Sequence, residues 1–161
     1  LWFSTAGLAI RVSSPAVVNG VVYVGSEDDN LYAFASRTGK LLWKAATKSY
    51  IHSSPAVANG VVYIGSTDGN LYAFSAVTGK QLWITNTGGS IFSSPTVANG
   101  VVYVGSQSNK LYALDAETGT ILWTYTTGRP IDSSPTVANG MVYVGSWDGK
   151  VYAFGLPPGA A

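Results

Sequence analysis

Apolar positions in this chain come in short blocks, such as VVYVG, LYAFA, VVYIG and LYAFS. Each block is bounded by Gly, Asn, Asp, Ser or Thr. Blocks of this length, rich in Val, Tyr and Phe and separated by turn residues, predict β-strands. The stretch from Ser53 to Trp83 shows the order most clearly. A strand over 54–58 is entered through Pro55, where a missing backbone donor is tolerated. Asn59-Gly60 predicts a tight type I′ hairpin turn, since both positions accept positive φ. A strand over 61–66 follows, then an Asp68-Gly69 turn, a strand over 71–75, a Thr78-Gly79 turn and a strand over 80–85 around Trp83. The segment TGKLLWKAATK near Lys40 has some helical character, but its counterpart QLWITNT is β-rich, and equivalent segments should fold alike.

The blocks repeat. Pro15, Pro55, Pro95 and Pro135 each open the same pattern, at intervals of 40 residues. A period of this length marks a repeat architecture in which units bury their apolar faces against neighbours. The predicted units are 13–52, 53–92, 93–132 and 133–154, the last completed by 1–12, with 155–161 as a C-terminal tail. A four-stranded antiparallel meander repeated four times predicts an all-β fold, a β-propeller of four-stranded blades. A solenoid would need crossovers in place of tight hairpins. Leu1-Trp2 aligns with Leu42-Trp43, Leu82-Trp83 and Leu122-Trp123, so the chain begins at a fourth strand while its last unit stops after a third. The N-terminal strand is therefore expected to complete the last blade. It does so either within one chain, or between two chains that exchange ends and close an eight-bladed ring, a homodimer.

Composition narrows the function classes. Charged residues make up 11% of the chain, against about 25% in an average protein. The nine Lys and Arg are spread over all units and the formal net charge is +1, so no basic stripe for nucleic acid is present. Cysteine is absent, which excludes disulfides and thiolate chemistry. No apolar run reaches the ~20 residues of a membrane-spanning helix. The chain opens on Leu1 without a charged-then-apolar leader, and is expected to be a processed, excised or engineered piece of something longer.

The pattern SSPxVxNGxVYVGSxDGxLYAFxxxTGKxLW, carried by Tyr63, Gly65, Tyr72, Ala73, Thr78, Gly79 and Trp83 and their counterparts, resembles the quinoprotein-like repeat. This is the propeller blade of pyrroloquinoline-quinone (PQQ) dehydrogenases. The resemblance covers nearly the whole chain. It implies a tryptophan docking arrangement in which Trp2, Trp43, Trp83 and Trp123 pack between blades beside Thr-Gly turns. It also implies a periplasmic or extracellular location. The family includes dehydrogenases, a lipoprotein scaffold of outer-membrane assembly and sensor domains of receptor kinases, commonly with about eight blades. In the dehydrogenases PQQ lies over the channel with a metal held by carboxylates and an amide, often beside a vicinal disulfide. This chain has no cysteine, no paired inward carboxylates and loops too short to enclose a cofactor.

Shared positions build the blade, so a ligand must be sought at variable ones. The loops preceding each Ser-Ser-Pro carry Arg11-Val12, Ile51-His52, Ile91-Phe92 and Ile131-Asp132. If they feed the innermost strands, Val12, His52, Phe92 and Asp132 ring one mouth of the channel. His52 and Asp132 would then face each other across a four-bladed ring, with Arg11, Tyr50 and Arg129 nearby. An imidazole changes charge nearest neutral pH, and this set suits an anionic or sugar-like ligand. A lone His opposite a lone Asp lacks a nucleophile, so no catalytic residue is assigned. The turns beginning at Glu27, Thr67, Gln107 and Trp147 also vary. Glu27, Asp28 and Asp29 offer three carboxylates where calcium takes six to eight oxygens, so no metal site is assigned. Trp147 stands where the other units are polar, and marks a contact surface.

The expected function is a non-catalytic scaffold or binding module for a protein partner or a small polar ligand, without cofactor, nucleic acid or a membrane span. Two alternatives stand beside it: a fragment or half-propeller of a PQQ-dependent oxidoreductase carrying PQQ with calcium, and an engineered or recently amplified repeat array with no ligand.

Overall fold

The computed structural model describes residues 1–155. Among these residues, fifteen strands form four antiparallel sheets. The first blade is β1 (Ala16–Val18), β2 (Val21–Gly25), β3 (Asn30–Ala35) and β4 (Leu41–Ala46). The second is β5 (Ala56–Ala58), β6 (Val61–Gly65), β7 (Asn70–Ser75) and β8 (Gln81–Asn86). The third is β9 (Thr96–Ala98), β10 (Val101–Ser106), β11 (Lys110–Asp115) and β12 (Ile121–Thr126). The fourth holds three strands, β13 (Thr136–Ala138), β14 (Met141–Gly145) and β15 (Val151–Gly155). Each sheet is a plain meander, and the short strands β1, β5, β9 and β13 are neighbours in succession, as the innermost strands of a β-propeller are.

The turns explain themselves residue by residue. Asn59 and Gly60 have φ of 49° and 76°, the two positive values a type I′ hairpin requires. The second turn of each blade needs one positive φ. Gly69 and Gly149 supply it in two blades, while Asp29 at 67° and Asn109 at 64° supply it in the others, as the residues that best tolerate the left-handed region after glycine. The segment near Lys40 is β4, not a helix.

Each blade packs one face on the next. Tyr23, Leu31 and Ala33 of the first blade meet Val62, Ile64, Tyr72 and Phe74 of the second in one buried cluster. The same arrangement recurs between the second and third blades and between the third and fourth. Four kinds of tie hold these seams. The Tyr23 hydroxyl donates to the Ala76 carbonyl at 3.1 Å and that of Tyr63 to Ala116 at 3.0 Å, each bond reaching 53 positions along the chain. The indole N–H of Trp43 and Trp83 donates to the same two carbonyls, both at 3.1 Å. Each indole lies so close to a Thr-Gly turn that a Cβ at Gly79 or Gly119 would meet it at 2.7 or 2.6 Å, and both glycines have φ near +70°. The second serine of each Ser-Ser-Pro links inner strands: the amides of Ser14, Ser54 and Ser94 donate to the hydroxyls of Ser54, Ser94 and Ser134 at 2.9, 2.8 and 3.0 Å.

Carboxylates make the fourth tie. Asp68 accepts from the Tyr72 hydroxyl at 2.6 Å and from the Lys48 amide of the preceding connection at 3.0 Å. Asp28 does so with Tyr32 and Gly7, and Asp148 with Tyr152 and Gly128. Burial acts to raise the pKa of Asp28, but the bonds from Tyr32, Ser26, Gly7 and Asn30 outweigh it and hold the carboxyl below its ordinary range. Asp148 is lowered chiefly by the Tyr152 hydroxyl.

Of the two closures expected, the chain does not make the first by itself. Residues 1–5 form no strand and do not pair with β15, which among the described residues pairs with β14 alone. They lie instead on the first blade, where the Trp2 indole donates to the Ser36 carbonyl at 2.9 Å and the Ser4 hydroxyl bonds to the Gly39 carbonyl. The reason is geometric: docking at the near side of the first blade fixes the segment at one end of the row, and β15 is at the other. Gly155, expected to begin the tail, pairs with Met141 as the last residue of β15, and 156–161 lie outside the described residues.

Candidate functional site

Two kinds of loop meet at one end of the strands. The connections at 50–52, 90–92 and 130–132 enter the inner strands there, and the turns at 27, 67, 107 and 147 arrive at the same end of β2, β6, β10 and β14. Backbone bonds join them: Glu27, Thr67, Gln107 and Trp147 donate from their amides to the carbonyls of Ala9, Tyr50, Ser90 and Pro130, at 2.9 to 3.0 Å. This rim carries the variable residues that the sequence sets at the loops before each Ser-Ser-Pro and at the second hairpin turns.

The rim is not uniform. On one side the His52 Nε2 lies 3.0 Å from the Glu27 Oε1, and the Arg11 Nη1 lies 3.5 Å from the same oxygen. The His52 and Glu27 side chains are mostly buried, whereas that of Arg11 is 71% exposed. The imidazole also packs between two rings, with centroids 6.1 Å from Tyr50 and 5.4 Å from Phe92. A basic, an acidic and two aromatic side chains thus share one patch with a guanidinium at its border. The other side is sparse. Asp132 accepts from the Gln107 amide at 3.5 Å, and the Arg129 carbonyl accepts from Thr127 and Ser146 hydroxyls. Trp147 is 66% exposed on the same rim.

Of the predicted mouth residues, then, Arg11, Tyr50, His52 and Phe92 come together. Arg129 and Asp132 stand two connections away, and His52 finds its acid in Glu27 rather than in Asp132. The physical reason is that a turn of one blade flanks the inner-strand entry of the next, so residues 25 positions apart meet. The first connection is also one residue longer: Ala9 occupies the place of Tyr50, and both Arg11 and Val12 stand between Ile10 and Ser13 where His52 alone stands between Ile51 and Ser53.

The acidic turn separates into three roles. Glu27 belongs to the rim patch, Asp28 to the blade tie, and the Asp29 backbone carbonyl accepts from Thr47 at 2.9 Å. Among the described residues no group of three or more His, Cys, Asp or Glu side chains converges as a metal site would require. A cleft of ≈ 420 Å³ lined by Asn59, Tyr63, Asp115 and Glu117 lies at the opposite end of the strands, beside the Asn-Gly turns. No helix among the described residues is long and apolar enough to cross a membrane.

Four of the five tryptophans recur at the end of the Leu-Trp pattern and lie against a neighbouring blade. Trp2, Trp43 and Trp83 make the indole bond, and Trp123 packs on Phe154 at 5.6 Å and Tyr103 at 6.1 Å.

Comparison with known proteins places this architecture. The family profile described as outer membrane protein assembly factor BamB matches residues 1–91 and 84–156. No curated protein matches the chain. Among solved structures, BamB from Moraxella catarrhalis superposes with a TM-score of 0.81 at 21% identity, over 90% of this chain and 50% of that one. The chain thus spans half the length of that protein. The computationally designed Ika4 protein superposes with a TM-score of 0.81 at 18% identity, over 98% and 100% of the two chains. The quinohemoprotein alcohol dehydrogenase ADHIIG from Pseudomonas putida HK5 superposes with a TM-score of 0.79 at 24% identity, over 88% of this chain and 29% of that one. Repeat, docking tryptophans and these superpositions agree, and the chain belongs to the PQQ-like repeat β-propeller family.

Proposed function

We propose that the chain is a non-catalytic binding module whose rim, at Arg11, Glu27, Tyr50, His52 and Phe92, engages an extended segment of a partner protein. The observation that carries this reading is the His52 side chain held between Glu27 and two aromatic rings, beside an exposed guanidinium. Aromatic surface with a hydrogen-bonded imidazole and carboxylate suits a protein contact, because it offers apolar area and directional polar groups that are already held in place. The family description, an outer membrane protein assembly factor, is in keeping with a scaffold role in the periplasm or outside the cell. Screening a displayed random-peptide library against the chain and against a Glu27→Gln/His52→Ala variant tests it. Peptides that bind the chain and lose at least tenfold affinity on the variant are the expected result. Peptides held equally well by both would sink the rim assignment.

A second reading, a small anionic ligand, draws support from the 71% exposed Arg11 side chain. The enzyme alternative is tested separately. Adding PQQ with calcium ions should leave the absorbance spectrum of the cofactor and the melting temperature of the protein unchanged, and a saturable shift in either would overturn the non-catalytic reading. A library that yields no binder at all would favour a repeat array without a ligand.

A further inference from the structure

We propose that two copies of this chain close head to tail into one eight-bladed ring, each lending residues 1–12 as the missing fourth strand and connection of the other's last blade. This does not rest on the rim's function, because it concerns the two open ends of the row.

Residues 1–12 already behave as the end of a blade that the chain does not contain. Toward the first blade they make the bonds that the end of each blade makes toward the next. The Trp2 indole donates to Ser36 as those of Trp43 and Trp83 donate to Ala76 and Ala116. The Gly7 amide donates to Asp28 at 2.8 Å as the Lys48 amide donates to Asp68 at 3.0 Å. The Ala9 carbonyl accepts from Glu27 as the Tyr50 carbonyl accepts from Thr67. Yet Leu1 and Phe3 are exposed and nothing pairs with them as a strand.

The fourth blade shows the complementary vacancy. In the first three blades a glycine at or next to the end of the second strand leaves a space that an isoleucine of the connection leading into the next blade fills. A Cβ at Gly25, Gly65 or Gly105 would meet Ile51, Ile91 or Ile131 at 2.1 to 2.2 Å. The same isoleucines donate from their amides to the carbonyls of Ser26, Ser66 and Ser106 at 3.1 to 3.2 Å. Gly145 stands at the fourth such position, where among the described residues a Cβ would meet Ser133 alone, at an ordinary 3.5 Å. The residue of this chain at the matching place in a connection is Ile10, which follows Ala9 as Ile51 follows Tyr50, and which is exposed. Tyr143 and Val151, whose counterparts Tyr63 and Leu71 are 2% and 0% exposed, are 38% and 79% exposed.

A twofold pairing satisfies both ends of both chains. Ile10 of one copy fills Gly145 of the other, residues 1–5 add a fourth strand beside β15, and the Ser134 amide reaches the Ser14 hydroxyl across the joint. Each joint sets unlike surfaces together, and the pairing stops at two copies because eight blades close the ring, so it does not propagate into a filament. The pairing also completes the rim. Turn residues Glu27 and Gln107 flank the connection residues His52 and Asp132 of the next blade, so Trp147 flanks Arg11 and Val12 of the second copy. The joint thereby sets an indole over the border of the Arg11, Glu27 and His52 patch, where its face attracts a guanidinium.

The test is the mass of the 161-residue chain in solution by light scattering, across a dilution series. Twice the 16.8 kDa chain mass is expected. The decisive variant is Gly145→Ala. Its Cβ has room within one chain but stands where Ile10 of the second copy must enter, so the variant should keep its β-sheet circular dichroism and shift to the single-chain mass. Adding Ile10→Ala to it restores space at the joint and should return at least part of the dimer. A single-chain mass for the unaltered protein at 50 µM or above would overturn the proposal, as would a dimer or larger assembly indifferent to Gly145→Ala.

Discussion

The seam between the second and third blades and the open face of the fourth blade carry almost the same residues, yet only one is a core. Tyr63 and Leu71 are sealed in the seam, while Tyr143 and Val151, in the same places on the last sheet, face outward. The difference teaches that blade sequence alone does not make a core here. An apolar face becomes interior only when the next repeat arrives to receive its tryptophan and tyrosine bonds and to cover its strands, so stability resides in the seams more than in the sheets.

Substitutions can press on this contrast, beginning with the strongest. Trp83→Ala removes a docked indole from a complete seam and should cost about 3–5 kcal/mol in denaturant unfolding. The same change at the half-docked Trp2 should cost no more than about half of that in the single-chain Gly145→Ala background. Equal losses would contradict the view that seams differ from ends. Leu71→Ala opens a cavity in a closed seam and should cost about 2–5 kcal/mol. Its counterpart Val151→Ala, again in the single-chain background, should change stability by less than about 1 kcal/mol, because a side chain already in solvent leaves no cavity.

Acid probes the carboxylate ties more gently. Asp28 and Asp148 are held below the ordinary aspartate value of about 3.9 in the folded protein. A depressed folded pKa contributes stability above the unfolded value and loses it as pH falls through the folded one. The melting temperature should therefore hold steady from pH 7 down to about 5 and decline below about 4. The Asp28→Asn/Asp148→Asn variant should show a shallower acid decline, and an unaltered slope would remove these ties from the account. The smallest effect is expected at the rim. His52→Ala should move unfolding free energy by roughly 0.5–1 kcal/mol or less, since it opens no core seam, while weakening any rim-bound peptide.

Much of the frame can be read directly from the residues. Asn59-Gly60, Thr78-Gly79 and the recurring Leu-Trp place turns and docking sites because each satisfies a local requirement of backbone or packing. The ties between blades were harder to see. Asp68 reads as a turn former, although the recurrence of Asp four positions before Tyr, at 28 and 32, 68 and 72, and 148 and 152, signals a side-chain bond. Glu27 reads with its acidic neighbours, because its partner lies 25 positions ahead in the following repeat. The extra residue in the first connection is visible only as an interval of 41 rather than 40 between Trp2 and Trp43, which a count from proline to proline misses. Where each end of the row finds its partner depends on which blades meet, a property of the assembled row that no single repeat encodes.

The tyrosine bonds to Ala76 and Ala116 have one more consequence. Each reaches only into the adjacent repeat, so the molecule needs no contact across its whole length before stable structure forms. Folding can nucleate at any one seam and spread outward blade by blade. In the single-chain Gly145→Ala background, amide hydrogen exchange should reveal this as a gradient, slowest in β6, β7, β10 and β11 and fastest in β15, with the two termini acting as the places where the row opens first.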